Sequence, residues 1–408
     1  METFITPAEA HAIIHAQIRT LPTVKATLLA ALGRFLQEDI IAQEDVPPFD
    51  NSAMDGFALC VADLSAAPVT LKITGEIAAG DTPAMSLTQG SCVRIMTGAP
   101  VPDNTAAVVP VEWTRMETDS DVRVTRMPAA GQFVRAAGRD LRRGATVLEK
   151  GVRLTPPALG LLATAGHRSV RVSAVPRVTI VVTGDELFME SGSLPPGKIR
   201  DANGPALAAQ VQYAGGSLVA VHHARDDKAE VADRLDQALH ESDVILFSGG
   251  VSVGNFDYVN EVFDAAGVKR HFWRVKQRPG GPLSFGMCGA QAVFGLPGNP
   301  VSSFVCFEQY VRPAMQRLMA AQWTKPELHR AVLREALAKT KGLHHFIRGI
   351  ACRDVAGQLE VRTTGPQASN LYSSAAAANC LIHLPQELEH PFAGQEVDIE
   401  WLPWAVPY

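Results

Sequence analysis

"VTIVVTGDEL", residues 178–187, is a mostly apolar run that stops at Thr183-Gly184 and then sets two acids side by side. Residues Val178 to Val182 read as a buried strand, because a parallel strand covered on both faces is continuously apolar. Thr183-Gly184 breaks the run, so Asp185 and Glu186 stand just past the strand's carboxyl end. Open α/β sheets hold their ligands at that edge.

The same texture recurs on both sides of this strand. A helix around "GPALAAQVQYAGG" follows it, then "SLVAVHH", the helical "KAEVADRLDQALHES", "DVILF" and a helix near 257–266. Alternating strands and helices predict a parallel sheet of right-handed βαβ units across 173–322. The last helix of this region is expected over 302–320. Before it, residues 47–140 carry short β-type runs ("VTLKITGEI", "AAVVPVEW", "DVRVTR") separated by Gly, Pro and Asp, which predicts a β-rich domain. Residues 6–45, including "LLAALGRFLQEDI", read as helical, as does "PPALGLLATAG" at 156–166. Short strands and turns from about 326 onward predict a small β-barrel.

Composition excludes several classes. At 408 residues the chain holds roughly two to four domains. With 47% hydrophobic and 19% charged residues it can bury a sizeable core and is not a disordered chain. A net charge of −5 argues against general nucleic-acid binding, so any anion site must be local. Six scattered cysteines without a C-x-x-C pair point to neither a zinc site nor a disulfide framework. No apolar run reaches the 18 or so residues of a membrane span. The start "METFITPAEA" has no basic segment leading into an apolar core, so no secretory signal is expected. A soluble, cytoplasmic protein is the expectation.

Four marked turns fall at predicted strand ends: Thr183–Glu186; "FSGGVSVGNFDY" with Ser248, Gly249 and Gly250; "RVKQRPGGP" (274–282); and "GLPGNPVSS" (295–303). Gly-rich turns that lead into helices leave backbone N–H groups for phosphate or another oxyanion. Neither common nucleotide fingerprint is present. Arg274, Lys276 and Arg278 beside Pro279-Gly-Gly-Pro282 read as an anion clamp, because guanidinium binds oxyanions in a fork. Acids near strand ends (Asp185, Glu186, Asp226, Asp257) are N-caps when single. Together, beside phosphate-type turns, they point to magnesium held by Glu186, with Asp185 as a second candidate ligand, and Glu186 and Asp226 are the expected metal residues of the site as a whole. The pairs His222-His223 and His344-His345 make poor metal sites, since strand neighbours face opposite ways, and are expected at the surface.

At these residues the chain resembles the molybdopterin molybdenumtransferases, the family that includes the gephyrin E domain. "PFDNSAMDGFA" (48–58), "RIMTGAPVP" (94–102), "GRDLRRG" (138–144), "TGDEL", "IRDANGPAL", "SGGVSVGNFDY" and "GLPGNPVSSF" follow one another in the family's order. The resemblance implies an α/β multidomain protein in four parts: a discontinuous helical domain (1–46 and 141–172), a β domain (47–140), a molybdopterin-binding α/β domain (173–322) and a C-terminal barrel (323–408). It implies Mg2+-dependent insertion of molybdate into adenylated molybdopterin with release of AMP. It also implies a homodimer with active sites shared between subunits, and transient contact with a molybdopterin adenylyltransferase and with apo-molybdoenzymes. Matching positions are Asp55, Thr97, Asp140, Glu186, Asp226 and Asp257 for catalysis. Pro297, Pro300, Arg348 and Ser369 match for substrate binding, and the turn and clamp residues Ser248, Gly249, Gly250, Arg274, Lys276, Arg278, Gly298 and Ser302 complete the expected binding set.

The chain departs from the family in one stretch. Where the pattern is K-x-x-x-K-P-G-K-P, it has arginines at 274 and 278 and glycine at 281, with Lys276 added, and Ala368 replaces the glycine before Ser369. Losing a cation at 281 bears on molybdate affinity more than on the pterin site. It favours two alternatives: a paralogue that binds a related pterin nucleotide without inserting molybdate, or a non-catalytic scaffold. Retention of Asp55, Thr97, Glu186 and Asp226 favours the enzyme.

Overall fold

The computed structural model describes residues 2–64, 67–83, 85–250, 258–321 and 327–405. Two compact units result, one of Met1–Val24, Gly33–Gln37 and Val172–Tyr408, the other of Lys25–Leu32 and Glu38–Arg171.

The first unit is built on a seven-stranded sheet. In chain order its elements are β1 (Glu2–Ile5), α1 (Pro7–Gln17), β2 (Arg177–Thr183), α2 (Asn203–Tyr213), β3 (Ser217–Ala224), α3 (Lys228–Glu241), β4 (Val244–Ser248), α4 (Val259–Ala265), β5 (Lys269–Val275), β6 (Ser284–Cys288), β7 (Gln291–Leu296), α5 (Pro300–Cys306) and α6 (Arg312–Leu318). Strand order is β1-β5-β6-β7-β4-β2-β3. The opening stretch is indeed a central strand. Val178, Ile180 and Val182 pack on one face with α1, α2 and α6, while Val181 faces α3 and α4 on the other. The chain steps from β2 to β3 on one side, then crosses to β4 on the other, so the sheet's switch point lies between β2 and β4.

The sheet is mixed, which corrects the all-parallel expectation. β7, β4, β2 and β3 are mutually parallel, but β6 runs antiparallel to both of its neighbours. β6 and β7 are joined by a tight turn at Gly289, φ +59, where no crossover helix can fit. Because β6 reverses and β7 reverses again, β5 still ends at the same edge as β2 and β4. The expected helix over 302–320 is α5 and α6 joined through one π turn, Phe307–Val311.

The C-terminal part is a closed five-stranded barrel, as expected. Its strands are β8 (Leu328–Leu333), β9 (His344–Arg353), β10 (Leu359–Thr363), β11 (Cys380–Leu384) and β12 (Glu396–Trp401), with α7 (Tyr372–Ala376) before β11. The order β9-β10-β8-β12-β11 closes through a β11–β9 pairing, and Gln277-Arg278 adds to β9 from outside. The barrel overturns one surface assignment: His345 is 4% exposed, and His344 lies against Phe346 and His383 at ring distances of 4.5 and 5.5 Å.

The second unit carries a six-stranded sheet in the order Thr105–Pro110, Gly56–Cys60, Ser91–Ile95, Val69–Ile77, Asp121–Val124, Thr114–Met116, with apolar clusters on both faces. The helical reading of 28–40 fails. Only Leu29–Ala31 make a short 3-10 turn, and Gly33 at φ +75 ends it. Leu29 stays 80% exposed, but Ala31 and Leu36 on either side of Gly33 are buried, so the left-handed break at Gly33 and not a want of apolar contact stops a longer helix.

Candidate functional site

The carboxyl edge of the first unit gathers the predicted turns. β2 ends in Thr183, and Asp185 and Glu186 follow, both exposed. The Glu186 carboxylate folds back over Gly184, where an added Cβ would meet its Oε2 at 2.5 Å. Asp226, past the end of β3, closes a bracket with Asp185. The Asp185 N–H donates to Asp226 Oδ2 at 3.4 Å, and the Asp226 N–H to Asp185 Oδ1 at 3.3 Å. Three acids therefore stand at the ends of two adjacent strands. Asp257 lies outside the described residues. Among the described residues no three His, Cys, Asp or Glu side chains are already poised as a metal cage. The donor chemistry nevertheless fits Mg2+, which takes one or two carboxylates and completes its shell with water and substrate phosphate.

On the other side of the switch point, Ser248 is buried at the end of β4 and Gly249-Gly250 turn the chain. Gly249 has φ +104, and a Cβ there would sit 2.7 Å from Thr183 Oγ1, so only glycine lets the two strand ends meet. The Gly249 N–H donates to Leu296 O at 3.1 Å, which draws in the turn after β7. In that turn Pro297 is buried, Gly298 is exposed, and Pro300 opens α5, where Ser302 is buried. The hydroxyl of Thr183 and the side-chain oxygen Oδ1 of Asn203 are buried at this crevice without hydrogen-bond partners among the described residues.

The third turn joins the fourth. A Cβ on Gly280 would touch Cys306 Sγ at 2.5 Å and Ser302 O at 3.3 Å, so the Pro-Gly-Gly-Pro turn packs on α5. The buried Gln277 side chain holds this turn from inside, donating to Pro279 O at 3.1 Å and Gly280 O at 3.3 Å. The three cations separate. Arg274 and Lys276 lie near the Phe4 ring, at 5.8 and 5.6 Å, whereas Arg278 faces the barrel. In an extended segment 274, 276 and 278 would share one face; Arg274 and Lys276 do, whereas Arg278, paired along β9, turns away from them to Thr340.

Arg278 lines a cavity of about 520 Å3 with Lys339, His345, Arg348, Thr363 and Gln367. Arg348 is fully buried and its guanidinium is engaged throughout. It donates to Ser374 Oγ at 3.1 Å, Gln367 O at 3.3 Å and Ala368 O at 3.1 Å, and burial brings its pKa down to about 10. Burial, with Lys339 and Arg278 nearby, pushes His345 down to about 4, so it is neutral while the arginines stay charged. Ser369 meets the first unit's edge through its backbone, accepting the Val301 N–H at 3.1 Å.

The second unit presents its own pair. The Thr97 N–H and hydroxyl both donate to Asp55 Oδ1, at 2.7 and 2.8 Å, and hold the Asp55 carboxyl below its ordinary pKa. Asp140 is exposed, with its N–H on Val46 O at 2.9 Å. Residue-by-residue reading missed Asp201, Asn203, Gln277 and Lys339. Asn203 carried a signal, since it stands inside the motif "IRDANGPAL".

A doubly wound sheet that brings glycine turns, carboxylates and a cationic cavity to one carboxyl edge defines a protein that binds an anionic, phosphate-bearing small molecule. Comparison makes this specific. Residues 5–166 match the family description "MoeA N-terminal region (domain I and II)", residues 179–317 "Probable molybdopterin binding domain", and residues 330–402 "MoeA C-terminal region (domain IV)". The chain is 36% identical to the molybdopterin molybdenumtransferase of Haemophilus influenzae, covering 91% of this chain and 92% of that one. It is 34% identical to molybdopterin molybdenumtransferase 2 of Mycobacterium tuberculosis, over 96% and 98% of the two chains. The crystal structure of the molybdopterin biosynthesis moeA protein from Pyrococcus horikoshii OT3 superposes with a TM-score of 0.80 at 29% identity, covering 98% of this chain and all of that one. The chain belongs to the molybdopterin molybdenumtransferase family, transferases of molybdenum cofactor biosynthesis.

Proposed function

We propose that the protein inserts molybdate into adenylated molybdopterin with the help of Mg2+ and releases AMP. One observation carries this reading: the acids after β2 and β3, the glycine turn after β4 and the turn opening α5 share one edge, and α5 also touches the loop beside the arginine cavity. A phosphorylated pterin and a tetrahedral oxyanion thus have neighbouring places.

In this reading Glu186 and Asp226 would hold Mg2+, which would supply positive charge against the substrate's phosphates. The Ser248–Gly250 and Pro297–Pro300 turns bind the pterin end. Arg278, with the loop braced by Arg348 and ending in Ser369, holds molybdate beside the pterin's sulfurs. Molybdate is a dianion, so guanidinium and hydroxyl donors suit it. Asp257 and Asp140 keep the catalytic roles that the resemblance implies.

The Asp55–Thr97 pair acts, in this reading, on the partner subunit of a homodimer whose sites are shared, and the enzyme works in the cytoplasm. Its substrate comes from a molybdopterin adenylyltransferase and its product goes to apo-molybdoenzymes. Gly281 favours a second reading, binding of a pterin nucleotide without molybdate insertion. Incubating the protein with adenylated molybdopterin, molybdate and an apo-molybdoenzyme separates them. Recovered enzyme activity supports insertion; none, with pterin bound, supports the second reading.

A further inference from the structure

The motif "IRDANGPAL" carries none of the catalytic or binding roles of the proposed reaction. In the fold it is the junction of the carboxyl edge. Asn203, 8% exposed, opens α2. Its Nδ2 donates to Ser248 Oγ at 2.8 Å and to Gly298 O at 2.8 Å. Ser248 ends β4 and Gly298 lies in the turn after β7, so a single amide bridges both turns. Two residues earlier, Asp201 accepts the Gly204 N–H at 2.9 Å and contacts His223 Nε2, near the end of β3, at 3.0 Å. Four consecutive residues tie three strand ends together.

The bridge acts where spacing is tightest. A Cβ on Gly298 would lie 3.5 Å from the Gly249 Cα, so the two turns are in near contact and a small shift of either alters the crevice. The Asn203 amide is also not arranged for stability alone. Both of these hydrogen bonds use the donor end, while Oδ1 is buried without a partner among the described residues, at a free-energy cost.

We propose that Asn203 is a positioning residue for the transferase reaction: it fixes the separation of the Ser248–Gly250 and Pro297–Pro300 turns, an inference that rests on assigning their crevice to molybdopterin. Asp201, held by His223, orients the loop from which Asn203 projects.

The test compares molybdopterin affinity, measured by equilibrium dialysis, with thermal stability in the full-length protein. Asn203→Ala removes both bonds. Asn203→Asp keeps the size and the contact with the Ser248 hydroxyl but sets a carboxylate oxygen against the Gly298 carbonyl, which covers the case of an alanine variant that does not fold. The control is Thr179→Val, which, near the start of the neighbouring strand β2 and away from the crevice, removes a buried hydroxyl contact of 2.6 Å to Ser242. Both Asn203 variants are expected to weaken molybdopterin binding about tenfold or more, since two hydrogen bonds are worth of that order. Thr179→Val is expected to lower Tm with affinity unchanged. Wild-type affinity in the Asn203 variants, or an equal affinity loss in Thr179→Val, overturns the proposal while the crevice assignment stands. A wild-type protein that binds no molybdopterin overturns both.

Discussion

Val301 donates its backbone N–H to the carbonyl of Ser369 at 3.1 Å, and this bond ties the barrel's 364–369 loop to the first turn of α5. Arg348 braces the same loop from below through the Gln367 and Ala368 carbonyls. The cavity beside Arg278 is therefore built jointly by the α/β domain and the barrel, and its charge comes from residues far apart in the chain.

Molybdate dependence should follow this geometry. Arg278→Ala is expected to raise the molybdate concentration for half-maximal AMP release about tenfold or more, the worth of a charged hydrogen bond. Lys276→Ala, on the Phe4 side, should shift it much less. Equal shifts in the two variants would contradict the division of the cations.

Gly281 can be restored to lysine without strain. The left-handed residue of the turn is Gly280, φ +84, whereas a Cβ on Gly281 meets nothing closer than Gln277 O at 3.4 Å. Gly281→Lys is expected to leave Tm unchanged and lower the molybdate requirement about tenfold. An unchanged requirement in a stable variant would place residue 281 outside the oxyanion site.

Glu186→Gln should separate chemistry from folding. The side chain is exposed, and substitutions at such positions usually cost less than about 0.5 kcal/mol. Losing one metal or oxyanion contact costs on the order of 10² to 10³ in rate. Turnover retained alongside a lowered Tm would show a structural role instead.

Shared sites predict complementation. Asp55→Ala and Glu186→Ala proteins are each expected to be inactive, and subunits mixed after mild dissociation should regain part of the activity. Two inactive parents that stay inactive as a verified mixed dimer would exclude sharing.

The barrel should be acid-sensitive. Burial lowers His344 to about 3 and His345 to about 4 from an ordinary 6.5. The unfolded chain therefore takes up these protons first. Stability is full above about pH 6.5 and falls as pH drops toward 4, by at most about 1.4 kcal/mol per pH unit for each proton. Among the described residues His344 Nε2 is buried without a partner, so His344→Phe gives up no hydrogen bond at that nitrogen and should raise Tm more at pH 5 than at pH 8. An equal gain at both pH values would assign the effect to packing alone.

Much of this was legible in residues 178–187. A continuously apolar strand followed by Thr-Gly and acids has one good home, a central strand of an α/β sheet, and the turns at 248–250 and 297–300 fell at its carboxyl edge as the alternation requires. The reversal of β6 was not legible, because an apolar strand looks the same in either direction until its turn is known. The 28–40 stretch misled because leucine spacing resembles a helix, and that spacing gives no sign of the left-handed turn at Gly33 that breaks it. His344 and His345 were misplaced because both faces of β9 are covered, one by the barrel interior and the other by neighbouring elements. The role of Asn203 was not legible, since its partners at 248 and 298 are distant in sequence.

The central claim rests most directly on AMP release from adenylated molybdopterin, followed with Mg2+ present, with and without molybdate. The account predicts release that depends on molybdate in the wild type and is lost in Glu186→Gln. Release at the same rate without molybdate, or release that survives in Glu186→Gln, would contradict it.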